Sequence, residues 1–251
     1  MPTDNLAVMA MQLDDALLGR LLELQAEDTA IARLEDRRTS LPEAARLQEV
    51  SDHLAELAAD LEIATKQYEE ISREQARLEG EIGLAEQKLA REEQRLFSGA
   101  VSNPKELGAL QAEVEMLKRQ RATLEDGLLE VMVHRDQAGE TVGSLTAERQ
   151  TFTDEGETLR AAVAKLTGEI DAELAERGRA RAALLEAGFP AELLALYDQL
   201  RQTKHGVGAA ALQGSTCQGC HTKLPAKEVE RLRSERGLQR CDNCRRILVV
   251  V

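Results

Sequence analysis

Four cysteines stand in two pairs, Cys217-Gln218-Gly219-Cys220 and Cys241-Asp242-Asn243-Cys244, and the chain has no others. Two residues between thiols let one tight turn aim both sulfurs at a common centre. Two such turns complete a tetrahedral four-sulfur site. Zinc is the default ion for that donor set, and iron also accepts tetrahedral sulfur. Disulfides are the competing use of paired cysteines, and they belong to oxidising compartments. The start, Met1-Pro2-Thr3-Asp4-Asn5, lacks the basic and apolar regions of a secretory signal, and no run of 18 apolar residues occurs. The expectation is therefore a cytoplasmic chain without a membrane span, its thiols reduced. One structural Zn2+ is expected at Cys217, Cys220, Cys241 and Cys244.

Catalytic zinc keeps a coordination position open, whereas four thiolates close the shell. His205 and His221 are left without a vacancy and read as surface residues. No phosphate-cradling glycine loop and no nucleophile elbow occurs elsewhere, so a non-enzymatic protein is expected. Around the cysteines the sequence reads as a ribbon: a strand over 207–212, a short amphipathic helix from Pro225 to Arg236 with Val229 and Leu232 inward, and a β-branched closing strand over 247–251. About 45 residues bury too little apolar area to fold alone. Structural zinc contributes on the order of 10–16 kcal/mol in finger-like peptides, so metal binding and folding should be one event.

Charge divides the chain unevenly. Residues 201–251 hold ten Lys and Arg against four acids, a net +6. With the whole chain at −13, the first 200 residues carry −19. A basic head on an acidic body suits an acidic partner, either protein or nucleic acid. The candidate contacts are Lys223, Lys227, Arg231, Arg233, Arg236, Arg240, Arg245 and Arg246. The ribbon has no aromatic residue on which to stack a base, which argues against sequence-specific RNA reading. The bland alternative is that these cations only solubilise a small domain.

The elements that position the cysteines come earlier in the chain. Aromatic residues make up 2% of the sequence and charged residues 31%, a balance suited to long helices. Steps of three and four from Leu47 to Leu96 visit fifteen positions, of which only Gln75 and Glu92 are polar. The same steps from Leu107 to Ile170 visit nineteen, with Arg121, Arg135, Arg149 and Gly156 as exceptions. Such spacing keeps one apolar seam turned toward a neighbouring helix. The small residues of 98–102 and the cap-like Asn103-Pro104-Lys105-Glu106 predict a tight reversal. Intramolecular pairing and parallel dimerisation both fit the heptads, as monomer or homodimer, and the short turn favours an antiparallel hairpin. The seam arginines should pair with acids of the other arm.

Ser40-Leu41-Pro42-Glu43 predicts a break, with Ser40 as the N-cap of a new helix. A weaker helical stretch over 11–38 precedes it. Gly139, Gly143 and Gly156 predict a bend or looser pairing in the second arm. The expected fold class is mainly α: a long kinked antiparallel coiled-coil hairpin over 1–187 (kink near 39–42, reversal near 98–103), a connector helix over 188–204, and a small C-terminal β zinc ribbon over 205–251. The hairpin should bring the N-terminus back beside residue 190.

The Asn-Pro-Lys-Glu-Leu turn at 103–107, Cys217-Gln-Gly-Cys220-His-Thr-Lys-Leu-Pro225 and Cys241-Asp-Asn-Cys244-Arg-Arg-Ile-Leu248 together resemble the bacterial coiled-coil/C4-type zinc-ribbon family. The resemblance covers essentially the whole chain, and the ribbon motifs are its specific part. It implies a kinked helical hairpin with a terminal zinc ribbon held by the four cysteines. The better-known members are flagellar regulators that bind the sigma-54 factor as a chaperone and also bind flagellin messenger RNA. The resemblance thus implies a protein partner, sigma-factor-like, with a role in transcription regulation as an adaptor or chaperone-like regulator. A nucleic-acid-binding regulator acting through the basic ribbon is the alternative. The family often has Gly after the last cysteine, where this chain has Arg245, so the second knuckle should differ slightly.

Overall fold

The computed structural model describes residues 13–235 and 237–250. Helix α1 runs Asp15–Thr39, α2 Pro42–Phe97, α3 Pro104–Glu186 and α4 Ala191–Thr203. Strand β1 (Ala209–Gln213), β2 (Thr216–Cys217), helix α5 (Ala226–Ser234), β3 (Gln239–Arg240) and β4 (Ile247–Val250) follow. None of the described helices is long and apolar enough to cross a membrane. The chain divides into two compact units: Arg46–Arg160, and the segments up to Ala45 and from Ala161.

In the Arg46–Arg160 unit, α2 and α3 run antiparallel. Arg46 pairs with Glu155, His53 with Glu148 and Lys88 with Glu113, so partner numbers fall as those of α2 rise. Val50, Leu57, Ala64, Leu78 and Leu89 of α2 and Leu110, Val114 and Leu117 of α3 are buried, all on the predicted seams. The reversal is fixed locally. Gly99 takes a φ of 72°, which only glycine adopts cheaply, and Asn103 Oδ1 accepts from the Lys105 amide at 3.0 Å.

Two local expectations change. Ser40 does not cap α2. Its amide donates to the Asp36 and Arg37 carbonyls and its hydroxyl to Asp36 O at 2.7 Å, so it closes α1, and the Leu41 carbonyl opens the next helix through Ala45. Helix α3 runs unbroken through its glycines, and between Leu117 and Gly156 none of its residues is buried, in keeping with looser pairing there. At Gly156 an added Cβ would stand 3.5 Å from Val50 and at Gly139 3.4 Å from Tyr68, ordinary contact distances, so α2 packs directly over both glycines. The seam arginines find other partners: Arg135 donates to Gln75 Oε1 across the seam at 2.9 Å, and Arg121 pairs with Glu125 of its own helix. Two of the polar seam positions thus satisfy each other.

In the other unit, α1 begins at Asp14, whose carboxylate accepts from the Leu17 amide at 2.7 Å. Its residue Arg20 donates to the Ala187 carbonyl at 2.9 Å, which places α1 beside the end of α3; the N-terminus itself lies outside the described residues. Gly188, at φ 87°, ends that helix. Leu18, Leu21 and Leu24 of α1, Leu193, Tyr197 and Leu200 of α4, and Ala209, Ile247 and Val249 of the sheet form one core. The sheet order is β2-β1-β4-β3, with β1 and β4 parallel and the outer pairs antiparallel. A ribbon too small to bury its own sheet thus covers one face with α1 and α4.

Candidate metal centre

The two cysteine turns have the same construction. In the first, which follows β2, the His221 amide donates to the Cys217 carbonyl at 2.8 Å and the Cys217 amide to the Thr222 carbonyl at 3.1 Å. In the second, which follows β3, Arg245 donates to Cys241 at 2.8 Å and Cys241 to Arg246 at 3.0 Å. Each turn needs left-handed backbone after its second cysteine. His221 sits at φ 55° and Arg245 at φ 64°. Arg245 therefore adopts the conformation a glycine would favour, and the second knuckle keeps the shape of the first. Gly219 is required by space, since a Cβ there would lie 2.8 Å from both Ala210 Cβ and Arg246 Cδ.

The four sulfurs lie within 4.8 Å of one another. Cys217 to Cys244 and Cys220 to Cys241 are each 3.9 Å. Zinc–sulfur bonds of 2.3 Å in a tetrahedron require sulfurs about 3.8 Å apart, far beyond a covalent S–S bond of about 2.05 Å. The donor set therefore fits one structural Zn2+. Cys217 and Cys241 are buried, whereas Cys220 and Cys244 are partly exposed. Burial pushes the Cys217 thiol up to about 12 and raises Cys241. At Cys220 burial acts the same way but is outweighed by hydrogen bonds from Thr222 and Asn243, which bring it down to about 6. Thiols this unequal do not all ionise at neutral pH unaided; a dication at the centre supplies the missing stabilisation.

Cys217, Cys241, Ala210, Leu212, Leu224, Leu248 and the α5 residues Val229 and Leu232 make a second core, with Cys220 and Cys244 packed against it. The metal ligands are part of what holds α5 on the sheet. Lys223 and Lys227 are exposed on a groove of about 900 Å³ that Leu224, Pro225 and Asn243 also line. Arg233 is exposed and donates to Gly214 O at 3.1 Å. Arg231 is held between Glu228 at 2.5 Å and Glu235 at 2.7 Å. Arg240 Nε donates to the Arg245 carbonyl at 2.8 Å, and Arg245 is exposed. Arg246 turns inward instead, its guanidinium donating to the Val207 and Lys204 carbonyls at 2.9 Å each. It ties the ribbon to the end of α4. Arg236 and Val251 lie outside the described residues. Of the seven described cations, Arg231, Arg240 and Arg246 are engaged within this unit, whereas Lys223, Lys227, Arg233 and Arg245 are exposed.

A buried polar cluster that local sequence patterns did not single out fixes this unit. Asp28, with a side chain 4% exposed, accepts from Arg181 Nε at 2.7 Å, from the Tyr197 hydroxyl at 2.6 Å and from Arg201. Burial alone would raise its pKa, but these three donors lower it. The same burial and the adjacent carboxylate push the Tyr197 hydroxyl strongly upward. One turn earlier, Gln25 accepts from the Gly208 and Ala209 amides at 2.7 and 3.2 Å and donates to Gly206 O at 3.0 Å. Gln25 thereby acts as a strand partner for the start of β1.

The model of the CT398-like coiled coil hairpin domain matches residues 24–205, and that of a C4-type zinc ribbon domain matches residues 216–248. An uncharacterized protein of Mycobacterium tuberculosis is 34% identical over 189 residues, covering 72% of this chain and 74% of the relative. A structure from Mycobacterium smegmatis superposes with a TM-score of 0.78 at 26% identity over 95% of this chain and all of that one. CT398 from Chlamydia trachomatis superposes at 0.65 and 21% identity, over 94% and 98% of the two chains, a likeness of fold.

Proposed function

The chain belongs to the CT398-like coiled coil hairpin family, and from that premise we propose that it is a non-enzymatic adaptor or chaperone-like regulator of the cytoplasm that offers its zinc ribbon to a protein partner. The observation that carries this reading is the closed shell. Four sulfurs within 4.8 Å of one another would fill the tetrahedron around a zinc ion and would leave no position for a substrate or an activated water. The metal's work is then to hold a surface, and the surface it holds is α5 with the groove bearing Lys223 and Lys227. The resemblance to flagellar regulators directs the first assay at a sigma-type transcription factor.

The alternative, a nucleic-acid-binding regulator, draws on Lys223, Lys227, Arg233 and Arg245, which face solvent. Affinity purification of the full zinc-loaded chain from its host, with and without nuclease, separates the two. A protein retained in stoichiometric amount after nuclease supports the adaptor. Loss of all bound material with nuclease refutes it. In that case four phosphate contacts would make log affinity fall with log salt at a slope of about −3. An apolar protein interface is far less sensitive to salt.

A further inference from the structure

The four cysteines are the only thiols of the chain, and their exposure follows a pattern that the role of a passive support does not use. Each knuckle has one buried cysteine and one partly exposed cysteine: Cys217 and Cys220 in the first, Cys241 and Cys244 in the second. Each partly exposed cysteine has the sulfur of a buried cysteine of the other knuckle 3.9 Å from its own, Cys244 beside Cys217 and Cys220 beside Cys241. An oxidant reaches the more exposed member first, and a resolving thiolate is already in place 3.9 Å away across the site. We propose that the centre is an oxidation-gated release device in which peroxide converts the four zinc-holding thiolates into two disulfides between the knuckles, Cys217–Cys244 and Cys220–Cys241, and frees the ion.

The chemistry balances with peroxide as the only oxidant. One peroxide oxidises a partly exposed thiolate to sulfenic acid and leaves as hydroxide. The buried thiolate opposite then attacks that sulfur, displaces a second hydroxide and closes the disulfide. Two peroxides take up the four electrons that the four thiolates give. Four protons from solvent turn the hydroxides into water, and zinc departs as the dication. Structure changes with it, because a sulfur pair contracts from 3.9 Å to about 2.05 Å on bonding. The two bonded pairs no longer share a centre. Leu224, Val229 and Leu232 pack in the core that contains these sulfurs, and Asn243 Nδ2 spans from Cys220 Sγ at 3.6 Å to Thr222 Oγ1 at 2.9 Å. Oxidation therefore disturbs the seat of α5 and the groove beside it.

The test uses the full zinc-loaded chain and hydrogen peroxide, with zinc followed by a chromogenic chelator. Disulfides are mapped by proteolysis and mass spectrometry without reduction. The expected result is one zinc ion released per two peroxides consumed, cross-links Cys217–Cys244 and Cys220–Cys241, loss of amide-exchange protection in α5, and full reversal by dithiothreitol with added zinc. Zinc retained through an excess of peroxide overturns the proposal. So do disulfides closed within each knuckle, or sulfinic acids as the main product. No partner enters these measurements, so their outcome is independent of the adaptor role.

Discussion

Replacing Asp28 by Asn tests whether the buried polar cluster holds α1, α3 and α4 around the ribbon. Asn keeps the shape of the side chain but removes the charge and turns an N–H2 group toward the donors of Arg181 and Arg201. Breaking one partner of a buried ion pair costs about 3–5 kcal/mol. The two guanidinium side chains remain 29% and 34% exposed, so water takes up part of their lost contact and the lower end of that range applies. Tyr197 is fully buried, and a weakened hydroxyl bond there adds part of the 1–3 kcal/mol of an unsatisfied group. The expected loss is about 3 kcal/mol. Tyr197→Phe, which leaves the carboxylate with both arginines, should cost about 1 kcal/mol. Denaturant-dependent amide exchange in α4 and β1 of the zinc-loaded chain is the suitable measurement, because it reads this unit apart from Arg46–Arg160. The pH dependence is part of the test. The carboxyl of Asp28 is depressed in the folded state, so the unfolded chain binds the proton more readily. Its contribution is full above the ordinary carboxylate value of about 3.9 and is lost as pH falls through the lower folded value. The difference between wild type and Asp28→Asn should be flat from neutral pH down to about 5 and shrink below 4. A cost under 1 kcal/mol, or one as large for Tyr197→Phe as for Asp28→Asn, would refute the reasoning.

Gly208→Ala should destabilise the same unit by 1–3 kcal/mol or more, since its Cβ would lie 2.6 Å from the Tyr197 carbonyl oxygen. Gly143→Ala, with nothing within 4 Å, should stabilise α3 by about 1 kcal/mol; both are read by thermal unfolding. Arg245→Gly should retain zinc and gain about 1 kcal/mol from relief of left-handed backbone, measured by resistance to chelator. Zinc binding should release protons, because Cys217 stands near 12 without metal. Calorimetry in buffers of different ionisation enthalpy counts them, and apparent affinity should fall as pH is lowered.

The long-range architecture was readable because it repeats. A seam that returns every three or four residues over Leu47–Leu96 and Leu107–Ile170 specifies its neighbour many times over, and the paired cysteines specify a donor set outright. Single polar residues carry no such redundancy. Asp28 meets Arg181 and Tyr197 from 153 and 169 positions away, and nothing local announces either contact. One signal was present: Leu21, Leu24, Gln25 and Asp28 fall on a single helical stripe, so two polar residues occupied core positions of α1. Ser40 misled because the same side chain suits both the end of one helix and the start of the next. The glycines of α3 leave the helix unbroken because packing against α2, with Val50 at Gly156 and Tyr68 at Gly139, supports it where propensity weighs only the isolated helix.

The strand that completes the sheet has a consequence for how the protein is made. Strand β4 lies between β1 and β3, and Ile247 and Val249 share a core with Leu21 and Leu24. Those two leucines are synthesised more than 200 residues earlier. At about 5–20 residues per second, α1 leaves the ribosome roughly 10–45 seconds before its sheet exists. For most of that interval its apolar stripe lacks both α4 and the sheet, and only the last strand completes its cover.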